Sequence, residues 1–193
     1  NPFNFNLKLE PIKPEALFNT DLPVDLEIGV GRGIFLRHWA ATKERNIIGV
    51  EIRKQMVDIL KERLEDTDVK NAHLVHSSGE RVLEALPDKS IEKVFIFHPD
   101  PWLKKKHQKR RVVQPDLLNE ILRVLTDNGR LYVSTDVQDL FEEMQEKIIA
   151  STSFKQIEDT DFWSNYTSHW TTYSEEDQRG LWQAAFAPIS ERL

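Results

Sequence analysis

No cysteine occurs in the 193 residues, which excludes disulfide staples, thiolate metal sites and cysteine nucleophiles together. Apolar runs are short as well. None approaches the roughly 20 residues that a bilayer-spanning helix needs, and the amino end carries no charged-then-apolar signal pattern. No membrane partner and a cytoplasmic setting are therefore expected. A metal centre would have to be built from histidine and carboxylates alone. None of the six histidines forms a helical i, i+4 pair, and His73 and His76 read as polar residues at a strand end, so no metal is expected. Repeats, low-complexity tracts and linkers long enough to split the chain are also missing. With 39% hydrophobic residues the chain suits one domain with a full core. Residues 1–23, which hold Pro2, Pro11, Pro14 and Pro23, read as an irregular lead-in, and 24–193 as a single domain.

What is present is unevenly spread. The formal net charge is −6, which by itself argues against a polyanionic partner. Yet six of the eight residues from Lys104 to Arg111 are Lys or Arg, and without them 20 basic residues face 32 acidic ones, a net of −12. Positive charge is thus gathered at one place on an acidic body, a distribution that steers and registers an anionic ligand while limiting indiscriminate binding. A solvated, charged helix start is the other reading of such a run.

Apolar runs and amphipathic stretches alternate along the chain. Strands are predicted at 24–29, 46–51, 72–75, 91–97 and 130–134, and helices at 34–41, 53–65, 80–86, 115–125 and 137–149, with a turn at Asp127-Asn128-Gly129. Sequential β/α units of this kind predict a parallel, helix-flanked sheet. After Ser151 the pattern changes to a short strand at 154–157, a polar, aromatic-rich loop at 159–178 and a strand at 181–187. That ending predicts an antiparallel pair at one edge of the sheet.

The first strand runs into Leu26-Glu27-Ile28-Gly29-Val30-Gly31-Arg32-Gly33. Glycines two apart let the backbone turn sharply and approach a ligand closely. Dinucleotide sites favour G-x-G-x-x-G, with the pyrophosphate at the helix amino terminus. Here the third glycine comes one residue early and an acid precedes the first. Glu27 would repel a pyrophosphate but can pair with an ammonium group, so the arrangement suits S-adenosylmethionine, which carries an ammonium and no phosphate, better than NAD. A solvent-facing strand end is the structural alternative for Glu27. Glu51 closes the second strand and can accept hydrogen bonds from both hydroxyls of a ribose, or be a strand end in turn. Ser78 and Gly79, past the third strand, fall where an adenine would lie.

The strand at 91–97 feeds into His98-Pro99-Asp100-Pro101-Trp102 and then the cationic run, Lys104-Lys105-Lys106-His107-Gln108-Lys109-Arg110-Arg111. Asp100 is thereby placed just past the carboxyl end of a buried strand, where open α/β sheets bind ligands. The density of cations beside it suits a phosphate backbone. Trp102 reads as an aromatic platform for a base or as a packed loop anchor. His107 reads as a phosphate ligand or a helix cap.

Taken together, LEIGVGRG, VEI, HPDPWLKKKHQKRR and Ser134-Thr135-Asp136 resemble the bacterial tRNA (guanine-N7)-methyltransferase family over roughly residues 24–187. The resemblance implies a Rossmann-like class I methyltransferase fold, a seven-stranded, mostly parallel sheet with an antiparallel carboxyl-terminal edge. It also implies methyl transfer from S-adenosylmethionine, leaving S-adenosylhomocysteine, to N7 of a guanosine in the variable loop of tRNA (m7G46). By that resemblance Glu27, Gly29, Gly31, Gly33, Glu51, Ser78, Gly79 and Asp100 form the cofactor site, with Asp100 the catalytic residue. Lys104, His107, Lys109, Arg110, Arg111, Asp136 and the segment Thr171-Thr172-Tyr173-Ser174 would meet the tRNA. There are two departures from the family pattern, which has Asp-Ala at Ser78-Gly79 and an acid at Ser174. They motivate a rival reading, a catalytically inactive tRNA-binding or assembly module. A methyltransferase for small molecules and an NAD enzyme rank lower, on the cationic run and on the glycine spacing. Neither monomer nor homodimer is favoured by the sequence.

Overall fold

In the computed structural model, residues 9–166 and 180–189 are described. Five apolar runs form parallel strands, β1 (Val24–Ile28), β2 (Asn46–Glu51), β3 (Ala72–His76), β4 (Ile91–Phe97) and β5 (Leu125–Thr135). Their connections are α2 (Ile34–Ala41), α3 (Lys54–Glu65), α4 (Gly79–Ala85) and α5 (Pro115–Val124), and a four-residue helix, α1 (Pro14–Leu17), lies within the proline-rich lead-in. After β5 come α6 (Gln138–Ala150), β6 (Phe154–Ile157), α7 (Thr160–Ser164) and β7 (Trp182–Pro188).

The seven strands form one sheet in the order β3-β2-β1-β4-β5-β7-β6. β7 is antiparallel to both β5 and β6, so the predicted antiparallel pair is found at that edge. Strand alternation sends Leu26, Ile28, Val94, Ile96, Leu131 and Val133 to the side covered by α4, α5 and α6. Phe95, Phe97 and Tyr132 go to the other side, covered by α2, α3 and α7. Helix α5 shows how the pattern works. Pro115 starts it, with φ preset and no N–H to lose, and Leu117, Leu118, Ile121 and Val124 return every three or four residues to the buried side. Each such side chain contributes about 1.5–3 kcal/mol on leaving water.

Three local features differ from the sequence expectations. The turn at 127–129 lies inside β5, where pairing with β4 jumps from Ile91↔Leu125 to Lys93↔Arg130. A bulge absorbs the extra residues. The cationic run is a 3-10 helix, Lys105–Arg110. Part of the expected loop at 159–178 is α7, whose Asp159 side chain caps it by accepting from the Phe162 N–H at 3.0 Å. No described helix is long and apolar enough to cross a membrane.

Candidate active site

Strand order reverses between β1 and β4: from β1 the chain winds outward to β2 and β3, then returns to place β4 on the other side of β1. Side chains at the carboxyl ends of adjacent strands on either side of such a switch point line a crevice. Glu27, Glu51, Ser78, Asp100 and Asp136 all lie at or just past those ends.

The glycine turn closes the crevice floor. Gly29, Gly31 and Gly33 all have positive φ, at 86°, 51° and 69°, and the N–H groups of Gly29 and Val30 both donate to the Val50 carbonyl at 2.8 and 3.1 Å. Gly33 serves twice. Its left-handed backbone starts α2, and a Cβ there would lie 2.3 Å from Leu60 Cδ2, so only glycine lets α3 pack against the turn.

Glu27 is not a solvent-facing strand end. It is 3% exposed, and among the described residues its Oε2 finds no hydrogen-bond partner. Burial, with the nearby Glu51 charge, pushes its carboxyl up to about 8. Glu51 faces the opposite situation. It accepts from the Gly31 N–H at 3.0 Å and from the Arg53 N–H at 2.9 Å. The Arg53 guanidinium adds bonds to Oε1 at 2.9 Å and to Oε2 at 3.2 Å. Burial raises the Glu51 pKa, but these donors outweigh it and the net direction is down. Arg53 in turn feels the Asp100 charge, so Glu27, Glu51, Arg53 and Asp100 belong to one electrostatic cluster. A buried carboxyl oxygen without a donor, beside a turn that leaves open space at Gly29, fits a ligand that brings a cation and packs close to the backbone. S-adenosylmethionine can do both.

Ser78 caps α4, its hydroxyl accepting from the Arg81 N–H at 3.4 Å. Beside it, a Cβ on Gly79 would come within 2.6 Å of Ile28 Cγ2. Glycine at this position is therefore matched to the isoleucine that ends β1.

The loop carrying Asp100 is held in an uncommon conformation. His98 and Trp102, one on each side of Pro99-Asp100-Pro101, have φ of 46° and 42°, a region costly for side chains unless the surroundings enforce it. The His98 N–H donates to the Ser134 carbonyl at 2.8 Å, and the Ser134 hydroxyl lies 2.8 Å from the Tyr166 hydroxyl. Burial pulls the His98 imidazole down to about 4 against the opposing effect of Asp136, whose Oδ1 is 3.6 Å from Nδ1. Asp136 thus stands beside the Asp100 loop. Trp102 is tied into that loop, with its ring edge-on to His107 at 5.7 Å and under the Arg110 guanidinium at 5.2 Å. Trp163 and Tyr166 pack against Phe97, which makes them part of the core on that side.

Lys104, Lys106, Lys109 and Arg110 are exposed on and beside the 3-10 helix and His107 is half-buried. Arg111, expected among the phosphate contacts, departs from them in its surroundings. Only 6% exposed, it donates from Nε to the Pro101 carbonyl at 2.9 Å and forms an ion pair with Glu143 on α6. Its Nε and Nη1 are thus engaged inside the fold. Thr171, Thr172, Tyr173 and Ser174 lie outside the described residues. Two residues that sequence reasoning missed enter the site, Arg53 and His98. Arg53 had a signal in its position two residues after a strand-ending acid.

Residues 21–185 match a family described as "Putative methyltransferase". The chain is 34% identical over 170 residues to a tRNA (guanine-N(7)-)-methyltransferase of Prochlorococcus marinus (strain MIT 9515), covering 84% of this chain and 81% of that protein. It is 37% identical over 167 residues to a tRNA (guanine-N(7)-)-methyltransferase of Synechococcus sp. (strain CC9311), covering 82% and 70%. Among solved structures, the 16S rRNA methyltransferase KamB superposes with a TM-score of 0.62 at 15% identity, covering 94% of this chain and 95% of that one. The aminoglycoside resistance methyltransferase NpmB1 gives 0.60 at 15% identity, covering 91% of each. At such identity these two speak for the fold alone, that of the class I methyltransferases.

Proposed function

Since the chain belongs to the tRNA (guanine-N(7)-)-methyltransferase family, its reaction is methylation of guanine N7 in tRNA with S-adenosylmethionine, and we propose that the crevice at the β1/β4 switch point is where it occurs. The observation that carries this assignment is the position of Asp100. It lies at the carboxyl end of β4 in a conformationally constrained loop, within the field of the Glu51–Arg53 pair and four residues before the exposed cations that start at Lys104.

The cofactor site consists of Glu27, Gly29, Gly31, Gly33, Glu51, Ser78 and Gly79. Bound S-adenosylmethionine supplies an electrophilic methyl group on a positively charged sulfur. Glu27, ionised by a cation at its free oxygen, holds the ammonium end. Glu51 holds the ribose, which requires the Arg53 guanidinium to yield part of its hold on the carboxylate. The turn at Gly29–Gly33 admits the ligand backbone-close. The α4 start at Ser78-Gly79 borders the adenine.

Guanine N7 has a free lone pair and no proton, so its attack on the methyl carbon needs no base. What the protein must contribute is alignment of nitrogen, carbon and sulfur, and holding reactants in line is worth several kcal/mol of a barrier. Asp100 performs that alignment, accepting from the guanine N1 and N2 hydrogens, and its charge stabilises the cation that passes from sulfur to the alkylated purine. His98, neutral at pH 7 with its pKa near 4, adds no competing positive charge beside it. N7 of a variable-loop guanosine takes part in tertiary pairing, so the base must be exposed to enter the crevice. Lys104, Lys106, Lys109 and Arg110 hold the backbone on either side, with His107 beside them. Asp136 and the Thr171–Ser174 segment complete the tRNA contacts. No observation favours the inactive binding module.

The test is transfer of labelled methyl from S-adenosylmethionine to unmodified tRNA, followed by cleavage at N7-methylguanosine. Label at a variable-loop guanosine is expected. Asp100→Ala is expected to lower transfer by about a thousandfold and leave the tRNA Kd within about twofold of the wild type, since the bonds and charge lost act on one base while the exposed cations hold the backbone. A large rise in that Kd would make Asp100 a docking residue.

A further inference from the structure

Arg111 is the one member of the cationic run whose described side chain is buried. Its surroundings form a closed set of bonds. Nε donates to the Pro101 carbonyl, the residue after Asp100, at 2.9 Å. Nη1 meets Glu143 on α6. Glu143 is held from its other oxygen by Lys147 at 2.6 Å, and Lys147 also donates to the Val113 carbonyl and to the Gln114 side chain, both at 3.2 Å. Gln114 returns a bond to the Arg111 carbonyl at 3.0 Å. These bonds join three segments: the loop that carries Asp100, the start of α5 and the middle of α6.

We infer that Arg111 and Glu143 are positioning residues for methyl transfer, a clamp that anchors the Asp100 loop to α6 and keeps its carboxylate in line with the reacting nitrogen. The inference rests on the reading of Asp100 given above. Three features support it. The loop has φ of 46° at His98 and 42° at Trp102, and such backbone persists only where the surroundings over-determine it. The Arg111 bond to Pro101 falls between those two residues. Burial raises the Glu143 pKa, but Lys147 and Arg111 outweigh it and hold the carboxylate charged. A guanidinium presents donors in a fixed planar fork, so it can serve a carbonyl and a carboxylate at once. A lysine cannot reproduce that geometry.

The clamp differs from a phosphate contact in what Glu143 should do. Glu143 is an acid and gains nothing from RNA. Arg111→Lys, Arg111→Ala and Glu143→Gln would be compared with wild type for kcat, KM and Kd for tRNA at several salt concentrations, Kd for S-adenosylmethionine, and thermal midpoint. Expected are falls in kcat of about 10- to 100-fold for Arg111→Lys and for Glu143→Gln, the scale of a misplacement near 1 Å. Cofactor Kd, tRNA Kd and the salt slope should stay as in wild type. Three results would overturn the inference. Glu143→Gln could retain the wild-type kcat while Arg111→Ala weakens tRNA binding and lowers the salt slope by about one, which returns Arg111 to the phosphate contacts. Alternatively, kcat, cofactor affinity and thermal midpoint could all fall together in Glu143→Gln, which makes the pair a generic fold contact. A wild-type protein that transfers no methyl overturns the functional reading and the clamp with it, and is told apart from failure of the clamp alone by that wild-type rate.

Discussion

Asp25 and Glu27 stand two residues apart on β1, on the same face of the sheet and nearly equally buried, yet their surroundings are opposite. Asp25, toward the amino end of the strand, is fully satisfied. It accepts from the Arg45 guanidinium on both oxygens, at 2.8 Å on Oδ1, and from the Trp39 indole at 2.8 Å. Arg45 is shared further with Glu92 at 2.7 Å. Glu27, toward the carboxyl end, has a buried oxygen without a donor among the described residues. Burial raises both carboxyls, but Arg45 and Trp39 pull Asp25 back while the Glu51 charge pushes Glu27 further up. One strand thus carries a carboxylate neutralised by the fold and a carboxyl left for a further cation to ionise. Where burial is equal, the difference between structure and function lies in the list of donors.

That contrast can be broken most directly by removing Asp25. Asp25→Ala leaves the largely buried Arg45 without its main partner and is expected to cost about 3 kcal/mol of stability, read as a lower urea midpoint, with cofactor affinity retained in the folded protein. A cost below about 1 kcal/mol would mean that Glu92 alone suffices. Glu27→Gln should behave the other way. Removing a charge-assisted bond to the cofactor is worth about tenfold or more in affinity, measurable by titration calorimetry, while the unfolding midpoint at pH 8 stays level or rises. A loss of stability comparable to that of Asp25→Ala would make Glu27 a structural residue.

The dependence on pH is the sharpest test of the comparison. The Glu27 carboxyl sits near 8 in the folded protein against an ordinary value of 4.5, so between those limits the folded state binds a proton that the unfolded state releases. Its contribution to stability is present below about 4.5 and lost as pH rises through about 8. The unfolding free energy of wild type minus that of Glu27→Gln should therefore decline from about pH 5 to pH 8, followed by denaturant unfolding at each pH. A flat difference would show that Glu27 ionises normally and that the contrast with Asp25 is only geometric.

Much of this was legible in the chain. The apolar runs that become β1, β2 and β4 are buried along most of their length, so their composition had no competing explanation. The glycines at 29, 31 and 33 announced a turn that needs positive φ. Helix α7 was not legible, because its five residues lie in a polar stretch and are held mainly by Phe162, which stacks on Phe95 at 5.6 Å. Only the finished core supplies that partner. Nor could the cationic run reveal that Arg111 turns inward, since direction depends on Glu143, 32 residues further on. Arg53 escaped for a different reason: its partner Glu51 is only two residues away, but that acid was read for its own chemistry rather than for what already occupies it. Distant partners account for the first two misses, and an unread local pair for the third.

The place of β7 has a consequence for how the chain is made. β6 precedes β7 in sequence, yet among the described residues its only neighbour in the sheet is β7. During synthesis the parallel strands β1 to β5 can assemble as they emerge, leaving β5 as an open border. β6 gains its described ladder only once Trp182–Pro188 has been made and inserted between the two. The nascent protein therefore passes through an interval with an unpaired β5 border exposed to neighbouring chains, and the last ladder to form closes two gaps at once.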